Sequence, residues 1–163
     1  MTLAALFLFY VALQRGVELV IARRNTRDLI TAGAKEHFPR HYPLIVAVHA
    51  GWLLSLVLLG WDNPVHLGWL AVYALIQALR VWTLTSIGRR WTTRILAVPG
   101  ETLVAKGPYR FLPHPNYMVV IAEILVAPLV LGLPFVAAVF SALNAAVLVV
   151  RVSAEERALQ RDG

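Results

Sequence analysis

The sequence predicts an all-α integral membrane protein with about five transmembrane helices, the last two forming a short hairpin. Two observations predict it. Hydrophobic residues make up 59% of the chain and charged residues only 15%, well below the quarter or so expected of a soluble domain. Every Lys and Arg except Arg15 and Arg80 falls in one of three segments, 23–40, 89–110 and 151–161, and these alternate with connections that carry none. At 163 residues the chain has room for a single membrane-embedded domain, 1–163.

The apolar blocks justify the elements in order. Residues 3–22 and 65–87 reach the length of about 20 residues that a helix needs to cross roughly 30 Å of hydrocarbon, and 44–60 nearly does. The first block carries its charges after the apolar run and lacks a basic leader, so it reads as a span and not as a cleaved signal peptide. Blocks 117–131 and 134–150, joined by Gly132-Leu133-Pro134, are marginal spans at about 1.5 Å per residue, which suggests a tight hairpin. Positive charge favours the inner side of a membrane. Five passes then place the N-terminus outside and the basic segments and C-terminus in the cytoplasm.

Composition also excludes function classes. The chain has no cysteine, which rules out thiolate nucleophiles, disulfides and cysteine zinc sites. The net charge of +6 comes from residues that flank apolar runs, without the stripe and interleaved aromatics of a nucleic-acid surface. The five histidines, His37, His41, His49, His66 and His114, show no paired ligand spacing on a helix apart from His37 and His41, which adjoin Pro39 and Pro43. No metal site is expected.

Charge inside a span is costly and points to function by default. Arg15 and Glu18 are three apart and can pair on one helix face, close enough to the cytoplasmic end to snorkel. Arg80 with Gln77, Glu123 and Asn144 lie deeper, and for Arg80 and Glu123 a polar cavity and plain packing stand level. The densest polar cluster is cytoplasmic: Lys106-Gly107-Pro108-Tyr109-Arg110, then His114-Pro115-Asn116-Tyr117 opening the fourth block. Pro115 suits a first helical turn, whose free backbone donors can face an anion; an interfacial loop with a tyrosine belt is the plainer alternative. Beyond the last block, Arg151 and Glu155 are four apart and share a face if the helix continues.

Read together, Gln77-Ala78-Leu79-Arg80-Val81-Trp82, Gly107-Pro108-Tyr109, His114-Pro115-Asn116-Tyr117 and the Arg151/Glu155 pair resemble the isoprenylcysteine carboxyl methyltransferase family, in its small bacterial form, over about half of the chain. The resemblance implies a cytoplasmic pocket for S-adenosyl-L-methionine contacted by Glu101, Thr102, Leu103, Val104, Tyr109, His114, Pro115, Asn116, Tyr117 and Glu155. Arg151 would face the acceptor and, with Glu155, carry the catalytic role. Two positions depart from the family pattern: Pro113 stands where relatives usually have Arg, and Glu101 where some have His.

Methyl transfer from a sulfonium is an in-line displacement, so alignment and charge stabilisation are the protein's main tasks. A carboxylate acceptor needs only orientation, which an Arg fork supplies. A phenolic or pyrone hydroxyl also needs a base, for which His114 and Glu155 are the sequence candidates. The expected partners are a lipophilic or prenylated small-molecule acceptor and the bilayer, with no nucleic acid. A nicotinamide-dependent reductase of the sterol type and a non-enzymatic membrane subunit are the alternatives.

Overall fold

The computed structural model describes residues 2–37, 42–97 and 104–162, with side chains up to Ser153. Five helices follow in order: α1 (Leu3–Thr31), α2 (Tyr42–Gly60), α3 (Leu67–Ile87), α4 (Pro115–Val130) and α5 (Pro134–Asp162). Four of them, all but α4, are long and apolar enough to cross a membrane, and each buries only 22–28% of its apolar stretch inside the protein. The remaining apolar face needs a non-aqueous surrounding, so this is an integral membrane protein.

Two helices outrun their apolar blocks. α1 and α5 each have 29 residues, about 44 Å at 1.5 Å per residue, so both project beyond the hydrocarbon. The expectation of a short final hairpin holds for α4, with 16 residues, but α5 is no short arm. Its apolar run ends at Val150, yet no Gly or Pro interrupts residues 135–162, so helix propensity carries it on. The fold is all-α as expected, and among the described residues the strands amount to a two-residue antiparallel ladder, β1 (Lys35–Glu36) with β2 (Leu96–Ala97).

The polar contacts sort into two ends. At one, the Thr2 hydroxyl caps α1 by accepting from Ala5 N–H and donates to Trp61 O, Asn63 Nδ2 donates to Leu131 O at 2.9 Å, and His66 N–H donates to Val130 O at 2.9 Å. At the other, Asn25 Nδ2 donates to Trp91 O at 2.9 Å, Arg94 pairs with Glu36 at 2.8 Å, and the β1–β2 ladder ties α1 to the segment after α3. Successive helices therefore run up and down between a neutral end and a basic end. α4 lies between the same ends and packs on both α3 and α5.

α4 is the most enclosed helix. Ile124, Ala127 and Val130 are fully buried beside Leu8, Val11, Leu56 and Leu131, and Trp52 and Tyr73 fill the remaining core. Trp52 Nε1 donates to Ile124 O at 3.3 Å, and Phe7 meets the Tyr73 ring edge-on at 5.1 Å.

Candidate functional site

The two cations that lie outside the basic segments meet the two carboxylates buried in the spans. Arg80 of α3 presents its Nε and Nη2 to Glu18 of α1, the second bond at 2.6 Å, and its Nη1 to Glu123 Oε2 at 2.5 Å. Arg15 donates to Glu18 at 3.2 Å and to Glu123 at 2.8 Å. Gln14 and Gln77 donate to the remaining carboxylate positions, at 3.0 Å to Glu18 and 2.8 Å to Glu123, and Tyr10 OH donates to Gln77 Oε1. The cluster joins α1, α3 and α4 and balances two positive against two negative charges, which is how charge survives in hydrocarbon. Arg15 also lies over the Trp52 ring, 5.7 Å from its centroid, which links α2 to the cluster.

A cavity of about 300 Å³ opens on this network. Arg15, Glu18 and Arg80 line its deep part; Ile45, Leu53, Val120 and Leu148 contribute apolar wall; Asn116, Tyr117 and Arg151 lie toward the basic end. Along α4, Tyr117 and Glu123 are six residues apart, about 9 Å, so polar groups at both ends are separated by apolar surface. Leu19 of α1 and Val46 of α2 also line the cavity and remain 40% and 46% exposed, so the wall between these helices reaches the lipid-facing surface.

At the basic end, Arg151 Nε donates to Tyr117 OH at 2.9 Å and Arg151 Nη1 to the backbone carbonyl of Thr93 at 2.9 Å, while the guanidinium lies 5.6 Å from the Tyr117 ring centroid. His114, at the N-cap of α4, stacks on Tyr117 at 5.3 Å and 26°. Among the described residues, Asn116 Oδ1 is buried without a hydrogen-bond partner. Gly107 holds the turn at 107–110 against α3: its φ is +53°, and a Cβ there would lie 2.1 Å from Ser86 Oγ.

The chain therefore brings Asn116, Tyr117 and Arg151 to one cavity and sets His114 against its edge. Pro115 is buried at the first turn of α4. Tyr109 lies in the turn packed on α3, and Val104 lines a separate hollow with Ser86, Arg89, Arg90 and Lys106. Glu101, Thr102, Leu103 and the Glu155 side chain lie outside the described residues.

A family model described as the isoprenylcysteine carboxyl methyltransferase (ICMT) family matches residues 69–161, more than half of the chain. The chain belongs to the ICMT family. Similar proteins include uncharacterized protein YpbQ of Bacillus subtilis (strain 168), 43% identical over 152 residues that cover 90% of each chain. An uncharacterized protein of Haemophilus influenzae is 23% identical over 152 residues, 89% of this chain and 88% of its own. No solved structure matches. The ICMT match covers α3 to α5 and so contains Arg80, Asn116, Tyr117, Glu123 and Arg151. Arg15, Glu18 and the α2 wall of the cavity come from the part before it.

Spacing along the chain pairs Arg15 with Glu18 and leaves Arg80 and Glu123 open, whereas the fold joins the four; their isolation from the basic segments is the sequence signal for it. Thr93, whose contribution is a backbone carbonyl, and His49, which lines the cavity from α2, carry no such signal.

Proposed function

We propose that this ICMT-family protein is an S-adenosyl-L-methionine-dependent O-methyltransferase that acts on a lipophilic acceptor at the cytoplasmic membrane interface. One observation carries the reading: a single cavity brings Asn116, Tyr117 and Arg151 at the basic end together with apolar wall that reaches the lipid-facing surface between α1 and α2. A polar donor from the cytosol and a lipid-borne acceptor can meet at such a boundary.

The residues present fit the cofactor. The orphaned Asn116 Oδ1 is a buried acceptor suited to an ammonium or ribose hydroxyl donor, since a buried polar atom without a partner costs about 1–3 kcal/mol. The His114–Tyr117 stack offers an aromatic surface beside it. Val104, Tyr109 and Glu155, with residues 101–103, complete the proposed binding set. When bound, S-adenosyl-L-methionine supplies an electrophilic methyl group. Arg151, held by Tyr117 and Thr93, presents its remaining N–H groups to the acceptor oxygen and orients it. The apolar walls exclude water and hold the hydrocarbon portion. Isoprenylcysteine-like carboxylates and lipid-like phenol or pyrone hydroxyls are the two acceptor classes. The basic end is assigned to the cytoplasm of a bacterial cell on the positive-inside rule.

Binding of labelled S-adenosyl-L-methionine to the detergent-solubilised protein tests the reading, followed by methyl transfer to S-farnesyl-N-acetylcysteine and to a long-chain alkylphenol. Saturable binding and labelled product from either acceptor are expected. Binding of NADPH with no binding of S-adenosyl-L-methionine would overturn the reading in favour of a reductase; binding of neither would favour a subunit without turnover.

A further inference from the structure

We propose that His49 is the general base for a hydroxyl acceptor, taking its proton on Nε2. The inference rests on the O-methyltransferase reading and assigns the hydroxyl class to its acceptor.

His49 stands on α2, in the half of the cavity built outside the ICMT match, and lines the same cavity as Asn116, Tyr117 and Arg151. Its Nδ1 lies 2.9 Å from the carbonyl oxygen of Ile45, one turn back on the same helix. A carbonyl oxygen only accepts, so Nδ1 carries the hydrogen, and in the neutral ring Nε2 then carries the lone pair. Nε2 is the ring nitrogen farther from the backbone, and it has no hydrogen-bond partner among the described residues. The tautomer is fixed by the helix itself, and the basic nitrogen is left for whatever enters the cavity.

The other groups at the cavity are less suited. Both oxygens of Glu18 are taken up twice: Oε1 accepts from Gln14 and Arg80, Oε2 from Arg15 and Arg80. Glu123 is engaged by Arg15, Arg80 and Gln77. Tyr42 OH lies 3.3 Å from Thr93 Oγ1, and Tyr117 OH accepts from Arg151. The charged groups around His49 are Arg15 and Glu18 on α1, Arg80 on α3, Glu123 on α4 and Arg151 on α5. Among the described residues the four network charges balance, and Arg151 adds a positive charge to the cavity, which favours an oxyanion near it.

The chemistry explains why such a base is needed. A phenol ionises near pH 10, so at neutral pH its oxygen is protonated, whereas a carboxylate has no proton to remove. In the assigned step the O–H bond breaks, an Nε2–H bond forms and the electron pair stays on oxygen. That pair makes the new O–C bond to the methyl group of the sulfonium donor, whose C–S electrons return to sulfur. The imidazolium afterwards loses its proton to water.

Two measurements on the full-length protein in detergent test this. The first needs no cofactor: a long-chain alkylated nitrophenol is titrated with protein below its own pKa, and the visible nitrophenolate band is read. Wild type is expected to raise the band more than His49→Gln, and equal bands would overturn the proposal. The second compares methyl transfer to the alkylphenol and to S-farnesyl-N-acetylcysteine. His49→Gln is expected to lower kcat for the phenol by about a hundredfold, within the usual range for a lost general base, and to leave the carboxylate rate within about twofold. Equal losses on both acceptors would mark His49 as structural and overturn the proposal. So would a wild-type enzyme that methylates the carboxylate alone, with the O-methyltransferase reading left standing. Binding of S-adenosyl-L-methionine by the variant reports that it has folded. If it does not bind, His49→Asn, whose amide can keep the bond to Ile45 O, replaces it under the same criteria.

Discussion

Tyr117 and Arg151 stand 34 residues apart on two consecutive helices and meet through a 2.9 Å bond. A hydrogen bond to a charged group is worth about 1.5–3 kcal/mol, or roughly tenfold or more in a rate or binding constant. Tyr117→Phe keeps the ring that stacks on His114 and removes only the oxygen that steadies the guanidinium. It is expected to lower kcat/KM for the acceptor by about tenfold or more. If the stack is the ring's contribution to the cofactor, the Kd for S-adenosyl-L-methionine should move less than twofold. Asn116→Ala is the complementary case: it removes the orphaned Oδ1, which is proposed to accept from the cofactor. Its expected effect is about a tenfold rise in cofactor Kd, at about 1.4 kcal/mol per decade, with the acceptor KM unchanged. Calorimetry and steady-state kinetics on the two variants separate the roles, and a matched loss in all four quantities would contradict the assignment.

At the scale of elements, magnitudes decide which ion pairs matter. The Arg94–Glu36 pair is half exposed, at 42% and 24% of its side chains, and such pairs contribute about 0–1 kcal/mol. Removing Glu36 should barely change the melting temperature. Glu123 is wholly buried, and Arg80 is 4% exposed. Glu123→Ala leaves two guanidinium groups without one of their carboxylates, and breaking a buried pair typically costs about 3–5 kcal/mol. A large fall in thermal stability in detergent is expected. The double variant Arg80→Met with Glu123→Met leaves Arg15 and Glu18 paired and should recover most of that loss, because apolar replacement of a buried pair is often neutral. Gly107→Ala belongs to the same scale. The positive φ and the Cβ position 2.1 Å from Ser86 Oγ force the 107–110 turn off α3, so reduced cofactor affinity and lower stability are expected together. Ordinary cofactor binding by that variant would show that the turn does not shape the site.

For the whole molecule, the two-ended arrangement makes a topological prediction. Lys106 and Arg157 belong to the basic segments, and Asp62 to the connection between α2 and α3, which carries no Lys or Arg. Cysteines placed at these positions in turn, in a chain that has none of its own, can be probed with an impermeant thiol reagent on intact cells. Position 62 is expected to label from outside and positions 106 and 157 only after lysis. Labelling of 106 or 157 from outside would reverse the orientation. The same topology explains where acceptor selectivity would reside. α3 to α5 carry the ICMT match, while α1 and α2 add Arg15, Glu18, His49 and the lipid-facing wall of the cavity.

Residue identity and spacing were enough to determine the membrane class and the all-α fold, because hydrocarbon thickness acts on local stretches of chain. They also determined the Arg15–Glu18 pair, which one helix turn sets by itself. Helix ends were less legible: α1 and α5 continue past their apolar runs because a helix is limited by breakers such as Gly33, not by polarity. Tertiary structure alone decided that Arg80 and Glu123 meet Arg15 and Glu18, that Tyr117 and Thr93 hold Arg151, and that His49 faces the same cavity. These contacts join residues 34 to 108 positions apart. No pattern local to one helix specifies which faces of five helices will turn toward each other; the need to pair every buried charge and fill the core does.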